Sequence, residues 1–353
     1  MTGGSLKDVL AHHVREGELV ERLENGKVRC TACGHRCLIN PGREGICKVR
    51  FNDNGTLMVP FGYVAGLAID PIEKKPFFHV LPGSSALSFG MLGCDYHCGY
   101  CQNWITSQAL RDPAADAAGA APTAASAERI VGTALERNIP IITSTYNEPL
   151  ITAEWAVEVF RLARSYGIHC SFVSNGNATP EVIEYLKPYL RLYKVDLKSF
   201  RQENYRQLGG RLETVLDTIR LLHREGIWVE VVTLVVPGFN DSEEELKEIA
   251  RFLVSVSPEI PWHVTAFHQD YRMTDPAPTP VRSLLRAADL GREMGLRFVY
   301  TGNVHRHREK LENTLCPSCG ELCVEREGFT LVRNTMINGH CPSCAAAIPG
   351  VWA

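Results

Sequence analysis

From about residue 86 onward, short runs of aliphatic and β-branched residues alternate with longer stretches whose apolar positions recur every three to four residues. The runs at 86–92, 140–145, 169–174, 192–197, 228–236, 263–267 and 297–301 predict strands. The periodic stretches at 127–137, 151–166, 180–189, 212–225, 242–256 and 280–294 predict amphipathic helices. Strand followed by helix, repeated, predicts βαβ units around a parallel sheet. Six or seven such units predict an α/β fold of the barrel or partial-barrel kind.

The flanks read differently. Residues 6–23 have helical spacing, 57–68 read as strands, and 70–83 (DPIEKKPFFHVLPG) form a Pro-rich loop. Residues 111–126, rich in Ala and Pro, predict a flexible surface loop, with an Ala-rich helical turn as the alternative. Beyond residue 306 the rhythm stops and a cysteine-rich tail begins. The expected division is therefore 1–85, a cysteine-rich N-terminal extension; 86–305, the α/β barrel; and 306–353, a small tail.

A chain of 353 residues, 45% hydrophobic and 22% charged, predicts an ordinary globular protein of about two domains. A net charge of -3 argues against nucleic acid or an anionic membrane as partner. The longest apolar run, 227–237, is broken by Glu230 and is too short to span a bilayer. The first residues lack the apolar stretch of a secretory signal, which predicts a cytoplasmic protein.

The 13 cysteines change the picture, because they are grouped: four in 30–47, three in 94–101 and five in 316–344, with Cys170 alone as a buried small hydrophobe. Grouped thiols in a long reducing-compartment chain point to metal. Cys94-x3-Cys98-x2-Cys101 follows the first predicted barrel strand. Three thiolates leave one iron of a [4Fe–4S] cube open, able to chelate the amino and carboxylate groups of a methionine-like ligand. Tyr100 can cover one side of such a cluster. The alternative is a three-cysteine zinc site with His97 as fourth ligand.

This loop resembles the radical S-adenosylmethionine (SAM) superfamily signature. Asp70-Pro-Ile-Glu-Lys-Lys-Pro76, Cys101-Gln-Asn-Trp104 and Thr145-Tyr-Asn-Glu-Pro149 resemble, more narrowly, the AmmeMemoRadiSam-system radical SAM enzymes, relatives of the pyruvate formate-lyase activating enzymes. The likeness extends over nearly the whole chain, to Ile348-Pro-Gly-Val-Trp352. It implies a partial (β/α)6 radical SAM barrel. It also implies an enzyme that cleaves SAM reductively to a 5′-deoxyadenosyl radical, fed by flavodoxin or ferredoxin, with Memo-like and AMMECR-like partner proteins.

The resemblance also implies SAM contacts at the strand ends. Glu148, with Asn147, stands where the relatives carry a GGEP segment, although Tyr146 and Asn147 replace the glycines. Asp196 and Lys198 match a D-x-K pair, and alternation puts both on one face. His268 matches a histidine at the adenosyl portion, and Asn303 is a lesser candidate. The hydroxyl and amide of Ser174 and Asn175 can bond the SAM carboxylate or ribose. Ordinary turns and an exposed salt bridge are the alternatives at these positions. No G-x-G-x-x-G or Walker P-loop occurs.

In the tail, Cys316-Pro-Ser-Cys319 and Cys341-Pro-Ser-Cys344 read as a zinc ribbon, with Cys323 as a spare thiol and an auxiliary cluster as the alternative. Cys30, Cys33, Cys37 and Cys47, with His35 among them, can close a structural zinc site or a second cluster. Two further functional readings stay open beside the leading one: a glycyl-radical enzyme activase, and a zinc-binding adaptor protein.

Overall fold

The computed structural model describes residues 5–304 and 311–352. The expected junction at 305/306 lies outside the described residues. An eight-stranded sheet organises the chain: β1 (Gly66–Pro71), β2 (Ser85–Gly90), β3 (Ile141–Ser144), β4 (His169–Ser174), β5 (Leu192–Asp196), β6 (Trp228–Val235), β7 (Trp262–Ala266) and β8 (Val299–Gly302), paired in that order. β2 to β8 are all parallel, and β1 is an antiparallel edge on β2. Each of the six crossovers carries a main helix: α1 (Ala127–Glu136), α2 (Ala153–Ser165), α3 (Pro180–Leu186), α4 (Leu212–Arg224), α5 (Glu243–Val256) and α6 (Val281–Glu293). Six strand–helix units and a closing strand result.

Local chemistry sets the helix starts. Ser126, Thr179 and Ser242 cap α1, α3 and α5 by accepting a backbone N–H three residues on. Three glutamates follow Ser242, where the helix dipole favours them. One face of the sheet packs on these helices: Phe89 and Phe172 both meet Phe160 of α2, and Trp262 abuts Gly291 of α6. On the edge strand the same face is uncovered, so Leu67 and Ile69 are exposed. By strand alternation the opposite face carries Asp70, Ser88, Lys194, Asp196, Glu230, His263 and Tyr300, an unusually polar set for buried strands.

One expectation fails, and for a second segment the alternative holds. Residues 6–23 are not one helix: the helix stops at Leu10, and Val14–Glu16 and Val20–Arg22 are strands. Val14–Glu16 pairs with Thr56–Pro60, and Gly17 passes so close that a Cβ there would sit 2.5 Å from Val59. Pairing with a distant strand overrides the helical spacing. Within residues 111–126 the Ala-rich helical turn forms rather than a flexible loop throughout. Asp112 caps a short helix, Pro113–Ala117, and Thr123–Ala124 pairs with Tyr63–Val64. The Asp-Pro start supplied the cap and the first helical residue.

The tail folds as a three-stranded antiparallel sheet, Thr314–Leu315, Leu322–Glu327 and Thr330–Asn334. It is seated at the end of the main sheet where the parallel strands begin. Arg326 and Glu73, both fully buried, approach to 3.5 Å, and Val351 bonds backbone to backbone with His79 and Leu81. No described helix is long and apolar enough to cross a membrane.

Candidate functional site

β2 delivers the chain to the cysteine loop at the strand's C-terminal end. Met91 N–H donates to Asn147 Oδ1 (3.0 Å) and Leu92 N–H to Tyr63 OH (3.3 Å), which fixes the exit. Gly93 has φ +91, and a Cβ there would meet Val49 at 2.9 Å and the Cys47 carbonyl at 3.1 Å, so only glycine fits. Cys98 is buried, and Cys94 and Cys101 are half-buried. Burial pushes all three thiols up, Cys98 to about 12. Charge on these sulfurs therefore needs a cation, and a metal centre is the donor set's natural complement. None of the three is in a disulfide. The residues fit an iron–sulfur centre. His97 instead packs on Gly209, its backbone N–H donating to Leu208.

A feature that the spacing did not disclose holds this loop. Asp95, fully buried between two of the cysteines, accepts from Asn175 Nδ2 (2.7 Å) and Asn177 Nδ2 (2.8 Å) at the end of β4. Asn175 N–H in turn donates to Glu148 Oε2 (2.8 Å), whose Oε1 takes Ser174 Oγ (2.7 Å) and Leu150 N–H (3.1 Å). Burial, then Asp95, pushes Glu148 up to about 8. Glu148, Ser174 and Asn147 thus spend their polar atoms on the protein itself, tying the ends of β2, β3 and β4 together. An Asn two residues after Asn175 was the one sequence hint of this clamp.

At the end of β5, Asp196 accepts from Lys194 and from Lys198 (3.1 Å). Burial opposes its charge, but the two ammoniums outweigh it and hold Asp196 at about 2. Lys198 and Tyr100 lie close enough to Cys98 to interact electrostatically with it. Tyr100 is buried against Phe239, ring centroids 6.0 Å apart. His268 is exposed, with Nε2 3.0 Å from Gln102 Nε2, next to Cys101. Its loop latches on the cluster loop, Arg272 and Met273 N–H both donating to Gly99 O (2.9 Å). Asn303 donates to Ala266 O. The structure thus brings Asp196, Lys198, Tyr100 and His268 to the cysteine loop, and turns Glu148 and Ser174 inward.

In the tail, the sulfurs of Cys316, Cys319, Cys341 and Cys344 all lie within 4.8 Å of one another. Two matching turns present them: Gly320 N–H bonds to Cys316 O and Ala345 N–H to Cys341 O. Cys323 is buried outside this set. In the N-terminal group Cys30, Cys33 and Cys47 are buried and Cys37 half-buried. Beside them Arg50, also buried, pairs twice with Glu154 (2.7 Å each) and keeps a buried Nε–H without a partner among the described residues.

Residues 90–253 match the family model of the radical SAM superfamily. An uncharacterized protein of Methanocaldococcus jannaschii, MJ0808, is 37% identical over 341 residues, which are 95% of this chain and 99% of that protein. The isethionate sulfite-lyase activating enzyme of Oleidesulfovibrio alaskensis is 30% identical over 35% of this chain and 41% of its own length. The pyruvate formate-lyase-activating enzyme of Clostridium pasteurianum is 23% identical over 55% of this chain and 84% of its own. With its cysteine loop at the C-terminal end of the first parallel strand, the chain is an enzyme that belongs to the radical SAM superfamily.

Proposed function

We propose that the chain generates a 5′-deoxyadenosyl radical that abstracts hydrogen from a substrate of the AmmeMemoRadiSam system, with Memo-like and AMMECR-like proteins as partners. The observation that carries this reading is the three-cysteine loop clamped through Asp95 to the end of β4. A [4Fe–4S] centre bound here would supply the one electron needed for reductive cleavage of the SAM C–S bond to methionine and the radical. Cys94, Cys98 and Cys101 would hold that centre. Lys198 and Asp196 present opposite charges for the carboxylate and ammonium or ribose of SAM, and Tyr100 with Phe239 keeps water from the buried side. His268 and Gln102 border the adenosyl end. Glu148, Ser174, Asn147 and Asn175 act one step removed, by positioning the loop. In this reading 86–305 is the catalytic barrel, carried between the cysteine-rich segments 1–85 and 306–353.

The glycyl-radical activase reading is favoured by the relatives named as activating enzymes. The arrangement of cysteine groups at both ends supports the first reading over it. The test is anaerobic reconstitution with iron and sulfide, followed by quantifying 5′-deoxyadenosine made from SAM under dithionite. Product that requires reductant supports the radical reaction. An intact cluster that never cleaves SAM, with or without the partner proteins, counts against it.

For the tail we propose zinc, because its four sulfurs converge as a single ion requires. Metal analysis of purified protein should find about one zinc per chain that Cys341→Ser removes. Iron in its place would refute the assignment. The N-terminal four cysteines hold a further centre, zinc or iron–sulfur, and the same analysis of Cys30→Ser decides which.

A further inference from the structure

We propose that the helix-free face of the sheet holds an anion-recognition site for the substrate, built from Lys75, Lys194, Tyr146 and Ser88. The site takes a small anionic group, a carboxylate or a phosphate. The proposal deepens the radical reading, on which it rests for the identity of that anion as substrate.

Four ammoniums share two carboxylates here. Lys74 (2.7 Å) and Lys75 (2.8 Å) both pair with Asp70, and Lys194 and Lys198 both pair with Asp196. Lys74 is half-exposed, so water completes its shell, and Lys198 lies beside Cys98. Lys75 and Lys194 have neither recourse, with side chains only 5% and 6% exposed. An ammonium has three donors. Among the described residues Lys194 uses one, on Asp196. Lys75 uses one on Asp70 and a long one on Tyr146 OH (3.3 Å), its charge 4.7 Å above that ring. Burying such donors unspent is costly. Burial pushes the Lys75 ammonium below its ordinary value, Asp70 opposes this, and the charges of Lys74 and Lys194 add to it in a smaller measure.

The surroundings complete a cradle. Ser88 is fully buried, on the same sheet face as Lys194, and its hydroxyl stands beside that of Tyr146. Tyr146 adopts φ +71 and folds over Gly90, where a Cβ would lie 2.8 Å from the Tyr146 Cβ. That turn sends its hydroxyl back along the sheet to donate to Asp70 (3.1 Å). Lys194 precedes Asp196 by two residues, so it lies about 7 Å deeper along β5 than the residues proposed for SAM. An anion held there anchors a substrate whose remaining part extends toward the cysteine loop.

The test uses reconstituted holoenzyme saturated with SAM, so that sites for SAM are filled. Its melting temperature is followed against inorganic phosphate and, separately, succinate, with chloride at matched ionic strength. Either anion should raise it by about 2 °C or more beyond chloride near saturation. The anion that does so identifies phosphate or carboxylate as the group. Lys75→Met and Lys194→Met should lose the rise. Ser88→Asp, which places a carboxylate in the cradle, should lose it without lowering the melting temperature in chloride. No rise with either anion, or an equal rise in the lysine variants, overturns the proposal. Deoxyadenosine formation by the same wild-type preparation reports separately on the radical reading.

Discussion

Cys98→Ala is expected to leave reconstitution without a stable [4Fe–4S] centre and to cut 5′-deoxyadenosine formation more than about 100-fold, since removing even a supporting group outside the ligand set costs a metal site about 10–100-fold. Cys98 is the most buried of the three thiols, 8% exposed, and among the described residues no group of metal-ligating side chains supplies a replacement for it. His97, the nearest alternative in sequence, is pinned on Gly209. Two control substitutions separate this effect from general damage. Cys170→Ala removes a buried thiol between β4 and α2, and Cys323→Ala removes the spare thiol of the tail. Both should keep the iron signal of the reduced wild type and its product yield. A Cys98→Ala protein that still builds the cluster and turns over SAM would refute the ligand assignment.

The sequence disclosed the parts of this molecule whose cause is local. Each main helix begins within two residues of its expected start, because Ser126, Thr179 and Ser242 announce their own helices and the apolar period is unbroken behind them. The cysteine loop was legible for the same reason, since its ligands lie within eight residues. What stayed hidden depends on partners far away in the chain. Val14–Glu16 is a strand only because Thr56–Pro60 arrives beside it. Asp95 reaches asparagines 80 and 82 residues away, and Lys75 comes within electrostatic reach of Lys194 only after β1 and β5 join one sheet. Glu148 shows the other limit. Its position at a strand end was readable, but whether its carboxylate faces a ligand or the protein depended on where Ser174 and Asn175 came to lie.

Glu230 was visible in the sequence only as a charge interrupting an apolar run, and its replacement should have the largest effect on stability. The side chain is fully buried and accepts from Phe78 N–H (2.9 Å), His79 N–H (2.9 Å) and Trp228 Nε1–H (3.1 Å), with His263 Nε2 2.7 Å away. Burial favours the neutral acid, but the hydrogen bond to His263, the imidazoles of His263 and His79 and the Phe78 N–H together outweigh it, and Glu230 stays below the usual carboxylate range. Glu230→Leu leaves these donors without water or protein to accept them. Breaking a buried charged cluster from one side costs about 3–5 kcal/mol, a large share of the 5–15 kcal/mol typical of a whole fold. Glu230→Gln keeps one acceptor and should cost less, about 1–3 kcal/mol. The damage should spread to the tail, because the same segment receives it: His79 Nδ1 lies 2.6 Å from Pro349 O, Arg326 donates to Phe78 O (2.6 Å), and Val351 pairs with His79 and Leu81. Urea unfolding should therefore show an earlier midpoint, and limited proteolysis should release the tail first. The metal proposed for its four clustered cysteines should loosen with it, since Cys316 and Cys341 pack in the same buried cluster as Phe78. A Leu variant within about 1 kcal/mol of wild type would mean that water reaches these donors, and that the tail is held by its apolar contacts alone.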